Sequence, residues 1–177
     1  MMRVVDVRNR HLTKRGYQEL LPRAPLDIDT ALLAVTPIID SVKSGDESTL
    51  LELSEKFDGI RPSSLKVPVE VIDAALQALD PQLRSIITES IRRVRIVHRD
   101  QQRGITTTKV VDGGEVEERW IPVDRVGLYV PGGRAVYPSS VIMNVVPAQI
   151  AGVNSIAVAS PPQTDHDGWP NQTILAT

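Results

Sequence analysis

The chain has no cysteine among its 177 residues, and this absence alone removes several kinds of chemistry. Disulfides, thiolate metal sites and cysteine nucleophiles are excluded within it. Aromatic residues make up only 3% of the sequence, and the net charge is −2, so neither base stacking nor charge gives a reason to expect nucleic acid or an anionic membrane as a partner. No apolar run reaches the roughly 20 residues of a membrane-spanning helix, and the N-terminus lacks the apolar segment of a secretory signal. We therefore expect a soluble, cytoplasmic globular protein.

Convergent catalytic groups are also scarce. The three histidines, His11, His98 and His166, lie far apart in the sequence and match no zinc-binding spacing. His98 follows an apolar helical stripe, which favours a packing role, and His166 lies in a polar segment, which predicts solvent exposure. The sequence contains neither a Gly-x-Ser-x-Gly nucleophile elbow nor a Walker phosphate loop. The residue pattern alone therefore names no catalytic residue and no metal ligand.

Helical periodicity dominates the N-terminal half of the chain. Apolar residues recur at three- and four-residue spacing in four segments, which predicts helices over 31–42, 47–57, 69–79 and 81–103. Pro37 predicts a kink or a break in the first of them. Arginines cluster toward the end of the last predicted helix, at Arg92, Arg93, Arg95, Arg99 and Arg103. Such a run favours a solvated or salt-bridged face over a phosphate site.

After the last predicted helix, the residue types become those typical of β-strands. Two runs at 105–111 and 115–123 flank the turn sequence Asp112-Gly113-Gly114, which predicts a β-hairpin. The hairpin leads from the helical part of the chain into its C-terminal third.

That C-terminal third has the order strand, glycine loop, helix, strand. The apolar runs at 126–130 and 155–159 suit strands, the first of them buried on both faces. Ser139 or Ser140 can cap the helix between them, whose apolar body runs over 141–150. A βαβ unit of this kind makes its two strands parallel.

The loop after the first of these strands is the one candidate ligand site. Ligands of parallel sheets bind at the carboxyl ends of the strands. Gly132 and Gly133 let the backbone approach a ligand closely, Tyr129 offers a flat ring and a hydroxyl, and Arg134 lies beside them. The loop does not match Gly-x-Gly-x-x-Gly, so a ligand loop and a plain structural turn both remain open.

Four segments of this region carry a family resemblance: Val126-Gly-Leu-Tyr-Val-Pro-Gly-Gly133, Tyr137-Pro-Ser-Ser-Val-Ile-Met143, Val146-Pro-Ala-Gln-Ile-Ala-Gly152 and Ala159-Ser-Pro-Pro162. They closely resemble the histidinol dehydrogenase family. Upstream, Gly45-Asp46-Glu47 and Phe57-Asp58-Gly59 look like the early helical region of the same family, so the resemblance covers essentially the whole chain.

The resemblance implies an enzyme that oxidises L-histidinol through L-histidinal to L-histidine in two NAD-dependent steps, at the end of histidine biosynthesis. It also implies a homodimer with a Zn²⁺ ion in each active site. Tyr129 matches a family NAD contact, with Gly132 and Gly133 as further candidates. The zinc ligands and the catalytic Glu–His pair are expected beyond Thr177, so no catalytic residue or metal ligand is assigned to this chain.

The implied fold class is α/β, with an N-terminal helical region and a β-hairpin leading into an incomplete Rossmann-like βαβ domain. The predicted organisation is an arm at 1–25, a helical region ending in the hairpin at 26–123, and the start of a truncated NAD-binding domain at 124–177. A two-stranded parallel sheet cannot cover its own faces or edges, so we expect a fragment of a longer protein, inactive alone. The alternative function is a non-catalytic helical dimerisation or binding module.

Overall fold

The computed structural model describes residues 5–20, 28–132 and 135–177. Its helices and strands are, in chain order, α1 Lys14–Leu20, α2 Ile28–Ser44, α3 Glu47–Asp58, α4 Val69–Ala78, α5 Pro81–Asp100, β1 Thr106–Val111, β2 Gly114–Glu118, β3 Arg125–Tyr129, α6 Pro138–Ile150, β4 Ser155–Ala159 and α7 Gln172–Leu175. The predicted α/β class is confirmed. The chain divides into two compact units, Met1–Ser44 and Gly45–Thr177. The predicted boundaries at 25/26 and 123/124 stay predictions.

The first unit contains α1 and α2. Pro37 was expected to kink or break this helix. The break is not observed, because α2 continues through that residue to Ser44, and the kink stays a prediction. Proline removes a single N–H donor, and about two turns of helix lie on each side of it, so the helix is interrupted by one missing bond rather than ended. Helix α1 lies within the predicted arm, where the apolar periodicity of the sequence is too weak to predict a helix.

In the second unit, side-chain caps fix where the helices begin. Helix α3 starts after Asp46, whose carboxylate accepts from the N–H of Ser48 at 2.9 Å, and it stops at Gly59 in the left-handed region. Helix α5 starts after Asp80, which accepts from the N–H of Leu83 at 2.9 Å. Its amphipathic stripe then packs along α6, which makes the α5–α6 pair the centre of the unit.

The core lies where α4, α5, α6 and the C-terminal turn meet. Buried apolar side chains form one cluster there: Ala75, Leu79, Ile87, Ile142, Val146 and Ala176. A second, smaller cluster lies at the end of β3 and joins Val130, Val141 and Ile174. Within the described residues, no helix is long and apolar enough to cross a membrane.

Two arginines of the basic run on α5 form salt bridges, in line with the prediction of a solvated or salt-bridged face. Glu89 accepts from Nε of Arg92 at 2.7 Å and from Nε of Arg93 at 2.8 Å. These bonds, the one from Arg92 first, lower the pKa of Glu89 from 4.5 to about 2. Farther along, the Arg103 guanidinium lies 5.0 Å from the centre of the Trp120 ring, a cation–π contact.

Both predicted β features are present. Strands β1 and β2 pair antiparallel across Asp112 and Gly113, and the glycine takes φ of 78°, which the turn requires. Strands β3 and β4 pair in parallel from Arg125 opposite Ser155 to Tyr129 opposite Ala159, with α6 as the crossover. The predicted βαβ unit is thereby confirmed, and it brings both strand ends to one edge.

Candidate functional site at the ends of the parallel strands

The ladder between β3 and β4 continues one residue past the end of β3. The N–H of Val130 donates to the carbonyl of Ala159 at 2.8 Å, and the Val130 side chain is completely buried. Pro131 and Gly132 follow at the end of β3, and the segment that begins at Ser160 follows at the end of β4. The two connections therefore leave the sheet together, at the edge where ligands of parallel sheets bind.

Tyr129 lies at this edge with its side chain in the open. It is 65% exposed, whereas Val126 and Leu128 on the same strand are half-buried. The expectation of a strand buried on both faces is therefore wrong. Helix α6 packs on the pair of strands, and no other helix or strand of the described chain packs on them to a similar extent, so the face that carries Gly127 and Tyr129 is open.

Gly132 is buried, and its small size has a packing cause. A Cβ atom at this position would lie 3.0 Å from Oγ of Ser160 and 3.1 Å from Cδ1 of Ile174. Both distances are shorter than ordinary van der Waals contact. A structural reason for this glycine therefore exists whether or not a ligand approaches it, and its role as a ligand contact stays a prediction. Gly133 and Arg134 lie outside the described residues.

The start of α6 differs from the prediction. Neither Ser139 nor Ser140 caps the helix, because α6 already begins at Pro138 and its cap residue, Tyr137, makes no side-chain cap bond. Proline is pre-set for the first helical position and needs no N–H partner, so it starts the helix ahead of the serines. Asn144, one turn farther on, donates to the Ser140 carbonyl at 2.8 Å.

A polar cleft of about 440 Å³ opens beside Gly132. It is lined by Phe57, Asp58, Gly132, Ala135, Val136, Pro162, Gln163, Thr164, Asp165 and Asn171. Partial burial raises the pKa of the Asp58 carboxyl. Asp58 and Asp165 both lie in its wall, and their carboxylates would repel the negative charge of a pyrophosphate. A dinucleotide bound at this edge would have to place its phosphates away from this cleft, and Tyr129 is not among the lining residues.

The three histidines of the chain lie in different surroundings. In the described ranges, no three His, Cys, Asp or Glu side chains come close enough together to bind a metal ion. His98 is half-buried and lines a separate cleft of about 330 Å³ with Arg103 and Trp120. The expectation of a solvent-exposed His166 is wrong, because its side chain is only 31% exposed and its Nε2 atom lies 3.2 Å from Nδ2 of Asn171.

The polar residues that follow β4 are the part of the site that the sequence pattern did not reveal. Gln163 donates from Nε2 to the carbonyl of Gly132, 31 residues earlier in the chain. Asn171 in turn donates to Oε1 of Gln163 at 3.4 Å and caps α7. Asn171 could have been recognised as a cap from the sequence, because asparagine is common before a helical turn. The bond from the Gln163 side chain to the distant Gly132 backbone could not.

Comparison with known proteins gives a consistent result. The family model described as Histidinol dehydrogenase matches residues 21–177. A histidinol dehydrogenase from Thermobifida fusca is 60% identical over 156 residues, which cover 88% of this chain and 36% of that protein. One from Corynebacterium efficiens is 54% identical over 176 residues, 99% of this chain and 39% of that protein. The chain therefore spans well under half the length of these relatives.

A solved structure shares the fold. The crystal structure of histidinol dehydrogenase from Elizabethkingia anophelis superposes with a TM-score of 0.76 at 25% sequence identity. The match covers 87% of this chain and 34% of that chain.

Proposed function

Because the chain belongs to the histidinol dehydrogenase family, we propose that it takes part in the oxidation of L-histidinol, through L-histidinal, to L-histidine in histidine biosynthesis. The observation that carries the proposal is the family match over residues 21–177, which includes the βαβ unit and its loop. The same match supports the enzyme over the alternative of a non-catalytic dimerisation or binding module.

NAD is the proposed cofactor, and it supplies the hydride acceptor when bound. Among the described residues Tyr129 is the best placed to contact it, because its ring lies 65% exposed at the carboxyl end of β3. An aromatic ring there can stack against a base or hydrogen-bond a ribose through its hydroxyl. Gly132 is buried beside Ser160 and Ile174, so it shapes the turn after β3, and a direct contact with NAD stays part of the proposal.

Zinc, a homodimeric assembly and a cytoplasmic location complete the proposal. The described ranges provide no cluster of three metal-binding side chains, and we assign no zinc ligand to them. We likewise assign no general acid or base to the described residues. This chain's contribution is therefore to bind and orient the dinucleotide.

The proposal is tested with a chimera in which residues 1–177 replace the matching part of the Thermobifida fusca enzyme. We expect zinc-dependent formation of NADH from histidinol, because the two sequences are 60% identical where they align. Tyr129→Ala in the chimera is expected to raise KM for NAD by roughly tenfold, the loss of one aromatic stack. Tyr17→Ala, which removes another exposed tyrosine, is the control and is expected to leave KM unchanged.

A folded chimera that oxidises no histidinol would contradict the proposed function. Equal KM values for NAD in the Tyr129→Ala and Tyr17→Ala chimeras would contradict the role given to Tyr129 while leaving the reaction in place.

A further inference from the structure

The side-chain amide of Asn171 has a fixed orientation. Its Oδ1 accepts from the N–H of Thr173 at 2.9 Å, while its backbone carbonyl accepts from the N–H of Ile174 at 2.9 Å. The oxygen of the amide is thereby committed to capping α7. The Nδ2 group must point the other way, toward Gln163 and His166.

This orientation determines the state of His166. Nδ2 of Asn171 lies 3.2 Å from Nε2 of His166 and carries two hydrogens and no available lone pair. Nε2 must therefore be the acceptor and carry no hydrogen, which places the ring hydrogen on Nδ1. The carboxylate of Asp165 also lies near the ring, with its Oδ2 atom 4.0 Å from Nε2.

The orientation of the Asn171 amide also fixes the orientation of the Gln163 side-chain amide. Its Oε1 accepts from Nδ2 of Asn171 at 3.4 Å, the longest bond in the series, so its Nε2 faces the Gly132 carbonyl and donates to it. The backbone of Gln163 is also hydrogen-bonded. Its N–H donates to the carbonyl of Trp169 and its carbonyl accepts from the N–H of Gly168, both at 3.0 Å. Gln163 is thus a donor held in place from both sides.

We propose that Asn171 and Gln163 are positioning residues that hold the Gly132 turn at the end of β3, with His166 completing the relay as the Nδ1–H tautomer. The role of the turn in NAD binding rests on the function proposed above, whereas the relay stands on the geometry alone. Because each amide has one orientation that satisfies all its partners, the relay sets a single direction for the Gly132 carbonyl.

The first test reads the tautomer directly from the ring ¹⁵N chemical shifts of the 177-residue chain at mildly alkaline pH. We expect His166 in the Nδ1–H form, and the exposed His11 in the Nε2–H form that predominates in unconstrained imidazoles. Nε2–H at His166, the result an unfolded chain would also give, overturns the relay.

Asn171→Asp is the decisive variant, because it keeps the Oδ1 acceptor that caps α7 and replaces the Nδ2 donor with a carboxylate oxygen. A carboxylate next to Nε2 accepts a hydrogen, so His166 is expected to change to the Nε2–H form. Asn154→Asp makes the same chemical change at an exposed position and is expected to leave the tautomer unchanged. An Nδ1–H form that persists in Asn171→Asp overturns the relay.

The positioning role is tested by titrating NAD into the same chain. Gln163→Glu removes the donor to Gly132 and is expected to weaken NAD binding ~5-fold, the loss of one hydrogen bond. Equal affinity in Gln163→Glu and the parent overturns the positioning role. If the parent binds no NAD, the proposed nucleotide site and the positioning role fail together, while the tautomer measurement still decides the relay.

Discussion

Ile87→Ala is expected to cost about 3 kcal/mol of unfolding free energy. Ile87 is only 6% exposed and lies on α5 within the main core cluster, among Leu79, Ile142 and Val146. Replacing it with alanine removes its buried methyl groups and leaves a cavity that the neighbouring helices fill only in part. The measurement is urea denaturation followed by circular dichroism, in which the midpoint should fall by about 1–2 M.

The adjacent residue provides a matched control. Ile86 is 55% exposed on the same helix, so Ile86→Ala removes the same atoms from a position that contributes little burial. Its unfolding free energy is expected to change by less than about 0.5 kcal/mol. Losses of equal size for the two variants would show that α5 does not pack as the structure has it. Ile87→Val, with an expected loss of about 1 kcal/mol, keeps the comparison measurable if Ile87→Ala does not fold.

Gly132→Ala is expected to lower the unfolding free energy by about 1–3 kcal/mol. The added Cβ would meet Ser160 and Ile174 at 3.0 and 3.1 Å, inside the small cluster that closes the end of β3. Those neighbours must move apart, and the turn behind Tyr129 changes with them. The same denaturation measurement tests this.

Two variants separate overpacking from other effects of alanine. Gly127→Ala adds a Cβ where no atom lies within 4 Å, so it is expected to be neutral or to stabilise by up to about 1 kcal/mol. Ser160→Ala removes one of the two obstructing atoms, a buried hydroxyl oxygen with no hydrogen-bond partner within the described residues. It should therefore restore part of the stability of Gly132→Ala. A Gly132→Ala variant as stable as Gly127→Ala would contradict the described packing.

Much of the fold followed from local sequence signals. The predicted helix starts at 47 and 81 are confirmed, and the structure shows that Asp46 and Asp80 fix them through bonds to N–H groups two or three residues away. The parallel pairing of β3 and β4 followed equally well, since a helix between two apolar runs leaves little other topology. Helical spacing also identified α5, although the observed helix ends at Asp100 rather than at 103.

The remaining errors come from interactions that local pattern does not report. The exposure of Tyr129 depends on which elements cover the second face of the sheet, and a strand's own apolar content cannot supply that information. The bond from Gln163 to Gly132 joins positions 31 residues apart, so it depends on the finished fold. At Pro37 the helix-breaking tendency of proline competed with the helical periodicity of the segment, and the helix continued. At Ser139 the capping tendency of serine competed with the preference of Pro138 for the first helical position, and the proline started the helix.

The most direct test of the account is an NAD titration of the ¹⁵N-labelled 177-residue chain, followed by amide chemical shifts. We predict saturable shifts at Tyr129, Val130 and Gly132, and no comparable shifts around His98 and Trp120 in the separate cleft, because the proposed dinucleotide site lies at the ends of β3 and β4. Saturable shifts confined to that second cleft, or none at the strand ends at any NAD concentration, would contradict the central claim.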